Sequence, residues 1–131
     1  MDTVLRFAKA DLTGKVVVAC LGVQWLYASV ASTRQVCDAV STLFADQVAL
    51  LLVDEDDDRT FCHSKDIVVG SPSVLVWYAG SEVRFRRPDW PVSPVVVGPF
   101  SFTNVENVLR AVLQQKSALK SDPGTVVDLP F

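Results

Sequence analysis

The chain has 131 residues, half of them apolar, and a formal charge of −3. That size and apolar share suit one domain with a real core, and the negative balance excludes a broad cationic field for gripping nucleic-acid backbones. Cys20, Cys37 and Cys62 make an odd count without metal-site or redox-pair spacing, which points to reduced thiols in a nuclear or cytosolic compartment.

In chain order, residues 3–11 place Val4, Leu5, Phe7 and Ala8 at roughly helical spacing until "LTGK" breaks the pattern. The amino terminus carries Asp2 and Asp11 and lacks the unbroken apolar core of a signal peptide. No run approaches the ~20 apolar residues that span a bilayer, and membrane association is not expected. "KVVVACL", Lys15 to Leu21, is β-branched and apolar on both faces, as a covered central strand requires. From Tyr27 to Phe44, Val30, Val36, Cys37, Val40, Leu43 and Phe44 recur near period 3.6, with Ser32, Arg34, Gln35, Asp38 and Ser41 on the polar face. "QVALLLVD" reads as a second strand and "RTFCHSKD" as a short helix.

"SPSVLVWYAG" and "SEVRFRR" read as a hairpin turning at Ala79-Gly80-Ser81. Thr103-Asn-Val-Glu106 matches a capping box for a last helix with Val105, Val108, Leu109, Val112 and Leu113 as its buried stripe. Asp122-Pro-Gly then breaks the chain, which divides it into a domain over residues 1–119 and a tail over 120–131.

The order α-β-α-β-α-β-β-α, with Pro72 opening the hairpin, resembles the thioredoxin fold, an α/β class with a central mixed sheet flanked by helices. "GVQWLYAS" then falls where thioredoxins carry Trp-Cys-x-x-Cys, with Leu26 and Ser29 at the two cysteine positions. The resemblance implies a cis Ser71-Pro72 bond facing that site. Within the fold, "VVACLGVQW" and "PSVLVWYAGSEVRF...VVVGPFSFTNVENVLRAVL" are similar to the Dim-type thioredoxin-like splicing proteins, small subunits of the U5 snRNP and tri-snRNP. The second block includes an unusually long segment between hairpin and last helix. The chain departs from that family in a shorter amino terminus and a tail without a basic run.

Disulfide exchange needs an accessible thiolate and a second thiol to resolve the mixed disulfide. Leu26 and Ser29 supply neither. The acid that thioredoxins bury beneath the pair aligns on Cys20 here and is absent as well. The cysteines read as apolar packing, with Cys62 open to partial exposure. His63 is the only histidine, so a two-His metal site is excluded, and Cys62-His63 are helix neighbours pointing different ways. "DEDDD" at 54–58 lacks the Gly and the terminal Glu of a calcium loop and reads as a solvated loop with Asp57 or Asp58 capping the next helix. Ser29 and Ser32 have no partner base. No catalytic residue, cofactor or metal site is expected.

Two stretches remain as candidate protein-binding surfaces. Trp25, Leu26 and Tyr27, with Pro72 in the facing loop, would form an apolar patch; the alternative turns Trp25 and Leu26 inward and exposes Tyr27 alone. In "RFRRPDWPVSP", Arg84 and Arg86 share one strand face while Arg87 and Trp90 follow on a proline-stiffened exit, types enriched at interface hot spots. The alternative there is an ordinary surface loop whose Trp covers the core edge.

Taken with the resemblance, the expectation is a redox-inactive, nuclear, non-enzymatic protein-binding subunit of the spliceosome in pre-mRNA splicing. Its expected partners are tri-snRNP proteins, with no strong direct nucleic-acid binding and a homodimer left open. The rival readings are a divergent thiol oxidoreductase using Cys37 or Cys62 and a thioredoxin-like adaptor outside splicing.

Overall fold

The computed structural model describes residues 6, 7, 14–68 and 70–131. Arg6 and Phe7 are helical, and the remainder of the expected helix over residues 3–11 lies outside the described residues. Strand β1, Val16–Gly22, runs parallel to β2, Val48–Asp54, in unbroken register from Val16↔Val48 to Gly22↔Asp54. Its other edge pairs antiparallel with β3, Ser73–Tyr78. Helix α1, Tyr27–Leu43, makes the crossover from β1 to β2, and the short α2, Arg59–Ser64, precedes β3.

The continuous apolar run of β1 has a direct cause: both of its faces are covered. Val16, Val18 and Cys20 join a core cluster with Val36 and Val40 of α1 and with α3, Phe102–Gln114, through Val105, Val108, Leu109 and Val112. Val17, Ala19 and Leu21 face the opposite side, against Phe61 and Cys62 of α2, Ile67, Leu75 and Trp77. Period-2 alternation thus sorts one strand's side chains into two cores.

The expected hairpin forms only in part. Ala79 and Gly80 take left-handed φ values of +53° and +81°, as a tight hairpin turn demands, and β4, Ser81–Glu82, pairs with Trp77 and Tyr78. The chain then leaves the sheet. The other half of the β3 edge is taken by β6, Val95–Val97, from inside the long segment before α3. "RFR" becomes β5, Arg84–Arg86, and pairs in parallel with β7, Val126–Asp128, from the tail. Residues 120–131 therefore contribute a strand, and Val127 and Leu129 are buried in the first core. Between α3 and this strand lies a further short helix, α4, Lys116–Ser121, which packs Leu119 into that core.

Three local expectations are corrected. The cis bond among the described residues is Gly98-Pro99, not Ser71-Pro72. The Gly70–Pro72 segment runs straight into β3 and takes the trans form that X-Pro bonds favour by default; Pro72 meets the cis site through its carbonyl, which accepts from the Gly98 amide at 2.7 Å. The helix expected after "TNVE" begins two residues earlier than that pattern suggested. Ser101 caps it, its Oγ accepting from the Asn104 amide at 3.1 Å while Asn104 Oδ1 accepts from the Ser101 amide at 3.3 Å. Glu106 instead pairs with Arg110 at 2.7 Å. Ser32, assigned to the polar face of α1, is buried because its hydroxyl accepts from the Phe100 amide at 2.9 Å, tying α1 to the loop before α3.

Candidate functional site: the turn after β1 and its surroundings

Gly22 closes β1 where α1 comes nearest. A Cβ there would lie 2.5 Å from Ser29 Oγ and 3.1 Å from Thr33 Oγ1, so only glycine lets the helix approach. Ser29 is fully buried, and its hydroxyl accepts the Val23 amide proton at 2.8 Å. The oxygen at the second cysteine position is therefore a fixed structural acceptor. Leu26 is the N-cap residue of α1, with extended backbone and no side-chain cap, at the first cysteine position.

The turn itself points outward. Trp25 is 61% exposed, Leu26 37% and Tyr27 87%. Leu26 and Trp25 also lean on the loop before β3, because a Cβ on Gly70 would come within 2.9 Å of Leu26 Cδ1 and 3.9 Å of the Trp25 ring. Gly70 carries φ +97°, which again favours glycine. Pro72 does not join the exposed patch, since it is buried at the start of β3 beneath Gly98.

The acidic segment is more structured than a solvated loop. Trp25 Nε1 donates to Asp56 Oδ2 at 2.9 Å, and Arg59 pairs with Asp56 Oδ1 at 2.9 Å. These donors, the indole first, hold the Asp56 carboxyl below its ordinary pKa. Asp58 sits at the N-cap of α2 without a side-chain cap bond. Glu55 is fully buried. Its amide donates to Gly22 O at 2.9 Å, its Oε2 accepts from the Gly70 amide at 2.8 Å, and its Oε1 has no partner. Burial, ahead of its acidic neighbours, raises the Glu55 carboxyl above its ordinary value. A composition reading of "DEDDD" conceals this residue. The signal was strand parity: Leu51 and Val53 face the second core, and Glu55 continues the same side.

None of the three thiols stands in this turn. Cys20 and Cys62 are buried and Cys37 is half-buried, so Cys62 is not exposed as the short helix allowed. Burial pushes the Cys20 thiol up to about 12, with its Sγ 3.9 Å from Thr33 Oγ1, and also raises Cys37. Such shifts leave the protonated, weakly nucleophilic form.

The second candidate stretch is held by different elements. Phe85 is buried between exposed Arg84 and Arg86, as alternation required. Arg86 pairs with Asp128 of β7 at 2.6 Å, and the Arg86 carbonyl accepts from the Leu129 amide at 2.9 Å. Arg87 lies over the Trp90 ring at 4.6 Å and the Phe131 ring at 5.3 Å, and donates to Val97 O and Phe131 O. Trp90 is half exposed on a turn closed by its amide to Arg87 O at 3.2 Å. It borders a groove of about 440 Å³ lined by Lys65, Arg87, Pro91, Pro94 and Val97. Of this set, Arg84, Arg86 and Trp90 are exposed and Arg87 is half-buried, and Arg86 and Arg87 fasten the tail.

No known family model matches the chain, and no curated protein matches it. Solved structures do. Thioredoxin-2, a component of malaria parasite protein secretion machinery, superposes with a TM-score of 0.58 at 11% identity over 77% of this chain and 86% of that one. A second structure, of a malarial protein, gives 0.53 at 14% identity over 78% of this chain and 97% of that one. With the mixed sheet enclosed by helices, these similarities define an α/β protein of thioredoxin-like fold.

Proposed function

We propose that this thioredoxin-fold protein is redox-inactive at the turn after β1 and works by binding other proteins, as a Dim-type subunit of the splicing machinery. The observation that carries the reading is the fate of the two cysteine positions. Leu26 offers hydrocarbon to solvent, and Ser29 offers a hydroxyl already bonded to the Val23 amide. Neither can attack or resolve a disulfide. What the turn presents instead is a partly rigid apolar surface, with Trp25 anchored to Asp56 and Leu26 braced on Gly70.

The splicing assignment rests on the two sequence blocks that resemble the Dim-type proteins. It is supported by the long hairpin-to-helix segment, which forms β6 and binds the β3 edge. Affinity purification of the tagged chain from its native cells tests it. Recovery of tri-snRNP proteins or small nuclear RNA is expected, and clean recovery of an unrelated complex rejects the assignment.

A further inference from the structure

Exposed aromatic rings and unpaired carboxylates meet at one place. The turn after β1 shows solvent the rings of Trp25 and Tyr27, 61% and 87% exposed. Beside it runs the acidic bend from Asp54 to Asp58, joined to the turn by the bond from Trp25 Nε1 to Asp56 Oδ2 at 2.9 Å. The base that follows this bend, Arg59, is taken by Asp56 at 2.9 Å. Among the described residues, neither Asp54 nor Asp57 pairs with a base. Both line a cleft of about 360 Å³ that has Gln24 on its wall, Val30 and Leu52 among its apolar lining, and no Lys or Arg. Negative charge is therefore left unanswered on the rim of an apolar surface.

We propose that the turn after β1 and this acidic rim bind a segment of another protein through an arginine side chain, with an aliphatic neighbour of that arginine entering the cleft beside Leu52. Arginine matches both halves of the surface at once. Its flat guanidinium stacks on an aromatic face and its fork of N–H donors pairs with carboxylates, whereas a lysine ammonium is a compact, strongly hydrated charge with no plane to stack. An acidic segment would be repelled by Asp54 and Asp57. A second copy of this chain fits worse: its exposed Arg84 belongs to a different surface, so the contact would be head-to-tail and would build rings or open chains in place of a two-fold pair. The proposal rests on the reading that this turn binds proteins and not on the splicing assignment.

Fluorescence anisotropy of the full chain with a labelled peptide of leucine and arginine in a glycine–serine background tests it, beside the same peptide with lysine or glutamate in place of arginine. Saturable binding of the arginine peptide is expected, weakening with added salt, roughly three-fold or more tighter than the lysine peptide, and absent with glutamate. Asp57→Asn and Tyr27→Ala should each weaken it by roughly three-fold or more, with unchanged melting curves, since both side chains are exposed. On the wild-type chain, the arginine peptide should shift the NMR signal of the Trp25 indole N–H, which locates binding at the turn without any substitution. No saturable binding of the arginine peptide, equal affinity for the lysine or glutamate peptide, an unmoved indole signal, or indifference to both substitutions would overturn the proposal. So would self-assembly of the chain through this turn that the peptide does not displace. Recovery of an unrelated complex from cells rejects the splicing assignment alone, and peptide binding at the turn that ignores charge rejects this proposal while leaving the turn a protein-binding surface.

Discussion

Ser29 occupies the place of a reactive group and does a structural one's work. Its hydroxyl completes the Val23 amide inside a fully buried contact, so Ser29→Ala should cost about 1–3 kcal/mol by orphaning that N–H, read from chemical unfolding. Glu55 offers a pH-dependent counterpart. Its carboxyl is raised above the ordinary value, so between the unfolded and folded values the native state holds more protons than the unfolded one. Stability from this group is therefore present at low pH and lost as pH rises through that window. Relative to Glu55→Gln, the wild-type protein should gain melting temperature as pH falls from neutral into the ordinary carboxylate range. A difference that stays constant with pH would show that Glu55 does not titrate in this way. That Leu26 and Ser29 stand in the turn, and no cysteine does, was legible in the sequence, because it is a matter of identity at a position. The inward turn of Glu55 was concealed by four exposed-looking neighbours of like charge.

At the scale of elements, the strands and helices with strong periodicity follow their sequence closely, and those whose pairing depends on distant chain do not. β1, α1, β2 and α3 each lie within about two residues of their expected spans, since burial alone dictates their patterns. "SEVRFRR" has the alternation of one continuous strand but is shared between two sheets, because β6 and β7 compete for the available edges. Nothing local announces that outcome. Two tests belong here. Ala79 holds φ +53° in the hairpin turn, where asparagine is better tolerated, so Ala79→Asn should raise the melting temperature slightly. Leu129 is buried beyond β7, so Leu129→Ala should cost about 2–5 kcal/mol, whereas a loose tail would leave stability unchanged.

Across the whole molecule, the two exposed aromatic stations are carried by different parts of the fold: the turn after β1, and the loop that Arg87 fastens to the tail. Trp90 is half exposed and stacks mainly on Arg87, so Trp90→Ala should cost about 1 kcal/mol or less. Trp77 is buried in the second core, and Trp77→Ala should cost about 3–5 kcal/mol. Loss of partner recovery by Trp90→Ala or Tyr27→Ala at near-native stability would assign binding to these stations. The residue identities of both stretches were readable in the sequence, but the mounting of the second was not, because the tail's place beside β5 is a long-range pairing. Under the function proposed above, the turn after β1 holds partners and does not exchange thiols. The most direct test of this claim is insulin reduction under dithiothreitol, run on the wild-type chain and on Cys20→Ser, Cys37→Ser and Cys62→Ser. A rate at background in all four proteins is the expected result, and a wild-type rate well above background that one of the substitutions abolishes would contradict it.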